Sequence, residues 1–293
     1  MAEESSAPPA AATKRGMGSG MAALLVIIFM ALGFVAGAFI GPRIGLGGNP
    51  PPAQLTTIVV GTNTPFPPFE YRDPTSNALQ GLDIDLMNEI GERNKWEVVW
   101  RDFQDWDALL AAIEFQGVDI GASSITSSGS VGAQRNDSFD FSNWYYEADQ
   151  AVLVQTASTA VQCAAAECTP TELANHTVAV QTLTSSYWWV QGELVDTAMT
   201  PASMVTDFGD LNSVIQELIN GNVDWVLVDK PIAERFVADN ANLRIEGTIE
   251  TNELYAFAVA DGDPSGLVSK INSALTAMKA DGTFNQIMDK WLG

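Results

Sequence analysis

The sequence predicts an α/β protein built of two similar lobes, on three observations. A helix–glycine–strand pattern occurs twice: Leu109–Gln116 runs into Gly117 and the apolar Ile120–Ala122, and Val214–Asn220 runs into Gly221 and Val223–Val228. Each copy reads as an amphipathic helix, a glycine able to end it at positive φ, and a buried strand, which is half of a βαβ unit. Strand-like and helix-like segments alternate along the whole chain. With 46% hydrophobic and 17% charged residues, a packed core is available. Two such lobes enclose a cleft, and clefts at the carboxyl ends of parallel strands bind small ligands.

The elements follow in order. Thr57–Gly61 is a first buried strand, Asp83–Asn94 a helix with Ile84, Met87 and Ile90 on one face, and Val98–Trp100 a second strand. The first repeat follows, and then Ser123–Gly132 reads as a polar loop. Ala151–Val154 carries the chain toward the second lobe, and Thr177–Val180 leads into a helix that begins near Thr184. After the second repeat comes a helix from Pro231, a returning strand Leu254–Val259, and helices from Pro264 and Thr283. The returning strand leaves the last helices free to pack on lobe one.

Before this domain, residues 1–20 read as a polar tail and residues 41–54 as a Gly/Pro-rich linker. Residues 21–40 carry no charge, and at ~1.5 Å per residue a helix of that length spans about 30 Å, one hydrocarbon core. Lys14 and Arg15 precede this segment and Arg43 follows it, which orients the N-terminus inside. The expectation is an uncleaved signal anchor with the binding domain on the extracytoplasmic side of the cell membrane. Cleavage near Val35-Ala36-Gly37 is the alternative.

Charge and cysteines narrow the function. With 36 acidic against 14 basic residues the net charge is −22, which argues against nucleic acid as a partner. Cys163 and Cys168 are the only cysteines, and outside the cell they are free to close a small loop as a disulfide. A lone histidine, His176, gives neither a metal-ligand set nor a histidine-based active site, so no metal or cofactor is expected.

Two segments carry binding chemistry. Gly61-Thr62-Asn63-Thr64-Pro65-Phe66-Pro67-Pro68-Phe69-Glu70-Tyr71 follows the first strand, and its prolines hold Phe66 toward the cleft. Trp106 offers a second aromatic face. Ser123-Ser124-Ile125-Thr126 and Arg135 follow, and an arginine grips a carboxylate through two parallel hydrogen bonds.

The ordered set Phe66-Pro67-Pro68-Phe69-Glu70-Tyr71, Gly81-Leu82-Asp83-Ile84-Asp85-Leu86, Trp106-Asp107-Ala108-Leu109, Val118-Asp119-Ile120, Arg135 six residues before Phe141-Ser142, and Tyr145-Tyr146 resembles solute-binding protein family 3. These are the extracytoplasmic amino-acid-binding subunits of ABC importers. Val178-Ala179-Val180-Gln181, Val223–Asp229 and Met278–Phe284 extend the resemblance over roughly residues 55–293.

The resemblance implies a two-lobed periplasmic-binding-protein fold, with residues 55–148 and 253–293 as lobe one, residues 149–252 as lobe two, and two crossing strands between them. It implies that Arg135 and the N–H groups at Thr184 and Ser185 hold a ligand α-carboxylate. Asp229, with Ser123, Ser124 and Thr126 nearby, is implied to hold the α-ammonium group, while Asn63, Phe66 and Trp106 shape the side-chain pocket. Three positions depart from the family's pattern. Thr126 and Arg135 stand nine apart where five is usual, Leu183 replaces a common glycine, and Asn63 is neutral where an aspartate is frequent.

The expected function is capture of an L-amino acid, with a neutral polar one indicated by Asn63, for delivery to ABC permease subunits. A dehydratase on the same fold is disfavoured because Thr184-Ser185-Ser186-Tyr187 offers no carboxylic acid. A sensor ectodomain is the other alternative, although a cytoplasmic part of about twenty residues is too short for a signalling domain of its own.

Overall fold

Runs of β-branched and apolar residues bounded by polar turns make the strands, and helices cover both faces of the sheet. The computed structural model describes residues 55–293, so the tail, membrane-segment and linker assignments for residues 1–54 lie outside the described residues. No helix of the described residues is long and apolar enough to cross a membrane.

The chain opens with β1 (Thr56–Asn63), a short hairpin of β2 (Tyr71–Arg72) and β3 (Leu79–Gln80), α1 (Leu82–Asn94), β4 (Trp96–Phe103), α2 (Trp106–Glu114), β5 (Ile120–Thr126), α3 (Gly129–Arg135) and β6 (Phe139–Phe141). β7 (Tyr146–Gln155) leads to α4 (Pro170–Leu173), β8 (Val178–Gln181), α5 (Ser185–Val190), β9 (Val205–Phe208), α6 (Leu211–Asn220), β10 (Trp225–Asp229) and α7 (Lys230–Asp239). β11 (Leu243–Ala260) returns, and α8 (Val268–Asp281) and α9 (Thr283–Leu292) end the chain.

Two lobes result. The strand order is β4-β1-β5-β11-β7-β10-β8-β9, with β1 parallel to β4 and β5, and β8 parallel to β9 and β10. The long β11 joins the halves: Ile249 pairs with Gln150 of β7, and Tyr255 pairs with Thr126 of β5. Its register shifts between Ile249 and Glu253, where the strand passes from one lobe to the other. α8 and α9 pack on α1.

The second repeat has the expected form, with Gly221 at φ 74 closing α6 and Asp210 accepting the Ser213 N–H at 2.9 Å to open it. The first repeat differs, because α2 ends at Glu114 and the left-handed residue is therefore Gln116, at φ 57, not Gly117. α2 buries Trp106, Leu109 and Ile113 in a cluster with Phe103, Val118 and Ile125.

Two boundaries are corrected. Ser123–Gly132 is not a loop: β5 continues to Thr126 and α3 starts at Gly129. The strand tolerates its polar residues because buried partners on neighbouring elements take up their hydrogen bonds. The helix expected from Pro264 begins at Val268, after Gly266 takes φ 61 and breaks any earlier turn. Asp263 accepts the N–H groups of Leu267 and Val268 at the entry to that helix.

Cys163 and Cys168 are joined as a disulfide, with Cα atoms 5.1 Å apart. Cys168 is buried in the lobe-two cluster beside Val161 and Leu173.

Candidate functional site

Parallel strands of both lobes end at a single cavity. After β1 the backbone turns back on itself, with Phe66 and Glu70 exchanging hydrogen bonds at 2.6 and 3.1 Å, so both side chains reach the cavity wall. The end of β5 brings Ser123, Ser124 and Thr126, and α3 brings Arg135. The end of β8 brings Thr184 and Ser185, and the end of β10 brings Asp229. With Asn63 and Trp106, all ten residues singled out in the sequence line this cavity, which holds about 480 Å³ of free space including its mouth.

Arg135 lies at the centre, only 8% exposed. Its Nη1 donates to the Thr126 carbonyl at 2.9 Å, its Nη2 donates to the Leu183 carbonyl at 3.1 Å, and its Cζ stands 5.5 Å from the Trp106 ring. Burial lowers its pKa to about 10, against the opposing charges of Glu253 and Asp229, so it stays cationic at neutral pH. Thr184 caps α5, accepting the Tyr187 N–H at 3.3 Å and donating to the Gln181 carbonyl at 2.7 Å. The N–H groups of Ser185 and Ser186, first in that helix, have no acceptor within it. Guanidinium and helix start together make an anion-holding corner.

The opposite wall is acidic. Asp229 accepts from Gln150 Nε2, and burial, followed by the charge of Glu253, holds its carboxyl well above the usual carboxylate range. Glu253 accepts from Thr126 Oγ1 at 2.7 Å, Gln150 Nε2 at 2.8 Å and Thr251 Oγ1 at 3.2 Å. Glu70, 1% exposed, accepts from Ser123 Oγ at 2.8 Å and is pushed up by burial and then by Asp83. Asp83 accepts the Ser124 N–H at 2.8 Å and holds that residue at φ 47, a left-handed conformation that costs a non-glycine residue about 1–2 kcal/mol.

The side-chain end is nearly neutral. Asn63 donates to the Phe103 carbonyl at 2.9 Å and accepts from Gln181 Nε2 at 3.2 Å. Gln181 also donates to the Gly209 carbonyl at 3.1 Å, and Gly209 accepts the Trp106 N–H at 3.0 Å. The Gln181–Asn63 and Trp106–Gly209 bonds run from one lobe to the other, so the cleft is closed.

Leu183, which replaces a common glycine, stands at φ 58. It turns its carbonyl to Arg135 and Trp106, and its side chain packs against the α2 cluster.

Glu70, Gln150, Gln181, Ser186 and Glu253 escaped the sequence reading. Glu70 and Gln181 stand inside motifs quoted above, and a carboxylate between Phe69 and Tyr71 was a usable signal. Gln150 and Glu253 lie on the crossing strands amid other polar residues, with nothing local to distinguish them. Among the described residues, no group of three or more His, Cys, Asp or Glu side chains is disposed to hold a metal ion.

An anion-holding corner facing an acidic wall suits a small zwitterion, and known proteins agree with a solute-binding role. The sequence profile of the bacterial extracellular solute-binding proteins, family 3, matches residues 58–293. The L-cystine-binding protein TcyA of Bacillus subtilis (strain 168) is 26% identical over 240 residues, covering 80% of this chain and 81% of that protein. The ABC transporter glutamine-binding protein GlnH of the same organism is 28% identical, with coverage of 80% and 81%. Among solved structures, an ancestral arginine-binding protein bound to arginine superposes with a TM-score of 0.71 at 32% identity, covering 81% of this chain and 98% of that one. These similar proteins are named for the solutes they bind. With the matched region spanning both lobes and the whole cavity, the chain belongs to the bacterial extracellular solute-binding proteins, family 3.

Proposed function

We propose that the protein captures an L-amino acid between its lobes and delivers it to the permease of an ABC importer. The observation that carries this reading is the meeting of Arg135 and Asp229 on one buried cavity, a cationic and an anionic grip supplied by different lobes. A zwitterion satisfies both at once, so its binding energy favours the closed arrangement. The α-carboxylate goes to Arg135 and the N–H groups of Ser185 and Ser186, and the α-ammonium group to Asp229 and Thr126. Lobe one comprises residues 55–148 and 253–293, lobe two residues 149–252, and residues 21–40 anchor the domain outside the cell membrane.

The ligand side chain is of the neutral, carboxamide type. Asn63 and Gln181 each spend part of their amide on the other, leaving one N–H and one carbonyl between Phe66 and Trp106, and these complement a glutamine side chain. The names of similar proteins support the class: a glutamine-binding protein and an ancestral arginine-binding protein bound to glutamine are among them. Glu70 favours a second reading, because a buried carboxylate on the wall attracts a cationic side chain such as arginine.

Calorimetric titration of the protein with the twenty common amino acids, repeated with Arg135→Ala, tests the proposal. Tight binding of glutamine that vanishes in the variant is the expected result, and arginine as the sole ligand selects the second reading. No binding of any amino acid refutes both.

A further inference from the structure

Resting on that reading, we infer that Glu253 is a positioning residue that makes the cavity recognise an ammonium group: it accepts the hydrogen bond of Thr126 Oγ1 and, through Gln150, fixes the acceptor face of Asp229. Glu253 is 4% exposed and sits where β11 crosses between the lobes. A hydroxyl carries one proton, and Glu253 accepts in every hydrogen bond it makes. With Thr126 Oγ1 donating to Glu253 Oε2 at 2.7 Å, the threonine turns lone pairs alone toward the cavity.

The amide of Gln150 is set in the same way. Its Oε1 accepts Ser186 Oγ at 2.6 Å, which turns its Nε2 to Asp229 and Glu253. The amide protons are thereby spent on these carboxylates, with a longer contact to Ser185 Oγ at 3.3 Å, and none is left for a ligand. At this end, therefore, the wall presents Thr126 Oγ1 as an acceptor and, once the charge of a bound ammonium group favours the ionised form, Asp229 as a second. Arg135 supplies the countercharge, with Glu253 the chief charge opposing the effect of its burial. The other titratable groups facing the pair are Tyr255 on β11, Tyr146 on β7 and Glu70 on the β1–β2 loop.

A site with acceptors only rejects a ligand whose amino group is replaced by hydroxyl far more than size demands, because buried polar groups are left unpaired. Glu253→Gln keeps the shape and reverses the polarity. Every partner of Glu253 is a donor, so the new NH₂ must meet Thr126, Gln150 or Thr251 and turn one of them round. If Thr126 turns, its proton points into the cavity.

The test measures dissociation constants of the wild type and Glu253→Gln for L-glutamine and L-arginine and for the 2-hydroxy acid corresponding to each. The wild type is expected to prefer the amino acid by ~100-fold or more, as for sites built around a specific hydrogen bond. In Glu253→Gln the amino acid weakens at least ~10-fold while the hydroxy acid holds within ~3-fold, a collapse of selectivity that loose packing alone does not produce. Should Glu253→Gln fail to show a native thermal melt, Thr126→Val, which removes the oriented hydroxyl, must show the same selective loss. Equal losses for both ligand classes, or an unchanged preference in a folded variant, overturn the inference and leave the amino-acid reading standing. A wild type that binds neither amino acid overturns that reading and the inference with it.

Discussion

Removing the charge of Asp83 reads out how far burial opposes ionisation behind the cavity. Its carboxylate accepts the Ser124 N–H at 2.8 Å and Tyr145 Oη at 2.7 Å, but its second oxygen has no hydrogen-bond partner. Burial raises its pKa from 3.8 to about 7, against the lowering effect of those two bonds. Because the folded value exceeds the unfolded one, the native chain holds an extra proton between about pH 4 and 7. The resulting stability is fully present below the unfolded value and is lost as pH rises through 7. One proton over some three pH units, at about 1.4 kcal/mol per unit, comes to roughly 4 kcal/mol.

Asp83→Asn cannot ionise and escapes that loss. Urea unfolding of both proteins at half-unit steps from pH 4 to 8 should show the variant gaining on the wild type by about 4 kcal/mol across the range, whatever its offset at pH 4. The general repulsion of a chain carrying 36 acidic residues also weakens the native state as pH rises, but it acts on both proteins and largely cancels in the difference. Glu70 works in the same direction, since its pKa is raised by burial and then by Asp83. Parallel stability curves would refute the claim that Asp83 is ionised against the preference of its surroundings.

Three further outcomes follow from the geometry. Arg135→Lys keeps the charge but cannot reach both the Thr126 and Leu183 carbonyls, so calorimetry should show amino-acid affinity falling by about 2 kcal/mol, the worth of one charge-assisted hydrogen bond. Gln116→Gly relieves a left-handed residue on an exposed turn and should raise unfolding stability by about 1 kcal/mol, with ligand affinity unchanged. Replacing both Cys163 and Cys168 by Ser frees a loop closed over a sequence separation of 5 and should cost about 2 kcal/mol in urea unfolding, again without loss of affinity.

Periodicity and glycine placement were enough to read two lobes from the sequence, because a helix that must bury one face and a strand that must bury both leave unmistakable patterns. The same patterns misplaced Ser123–Gly132. A strand rich in serine looks like a loop until Glu70, Asp83 and Glu253, distant in sequence, are seen to receive its hydrogen bonds. The cavity-lining residues were legible where a motif fixed them, as with Arg135 and Asp229. The residues that orient them were not: Gln150 and Glu253 act through hydrogen-bond direction, which depends on which atoms meet across the crossing strands. First-copy helix termination also depended on tertiary context, since one residue's difference in the length of α2 moved the left-handed position from Gly117 to Gln116.

Closure is the property least visible in the sequence, because carbonyl groups make much of it. Leu183 takes φ 58 and thereby presents its carbonyl to Arg135 at 3.1 Å and to Trp106 Nε1 at 3.3 Å, both donors from the other lobe. The left-handed conformation costs about 1–2 kcal/mol, while a charge-assisted bond contributes about 1.5–3 kcal/mol and a neutral one about 1. The balance favours that conformation while the lobes are together, since both donors move away when they part. A glycine, usual at this position in the family the chain resembles, would take the same φ at no steric cost and so would not tie backbone conformation to closure. Leucine ties it twice, through the carbonyl and through a side chain packed on the α2 cluster of the facing lobe. Compared with a glycine, the leucine carries that backbone cost in the closed state and sets against it the packing of its side chain, while the carbonyl bonds, which either residue makes, let the protein itself supply part of the free energy of closing the cleft before any ligand contributes.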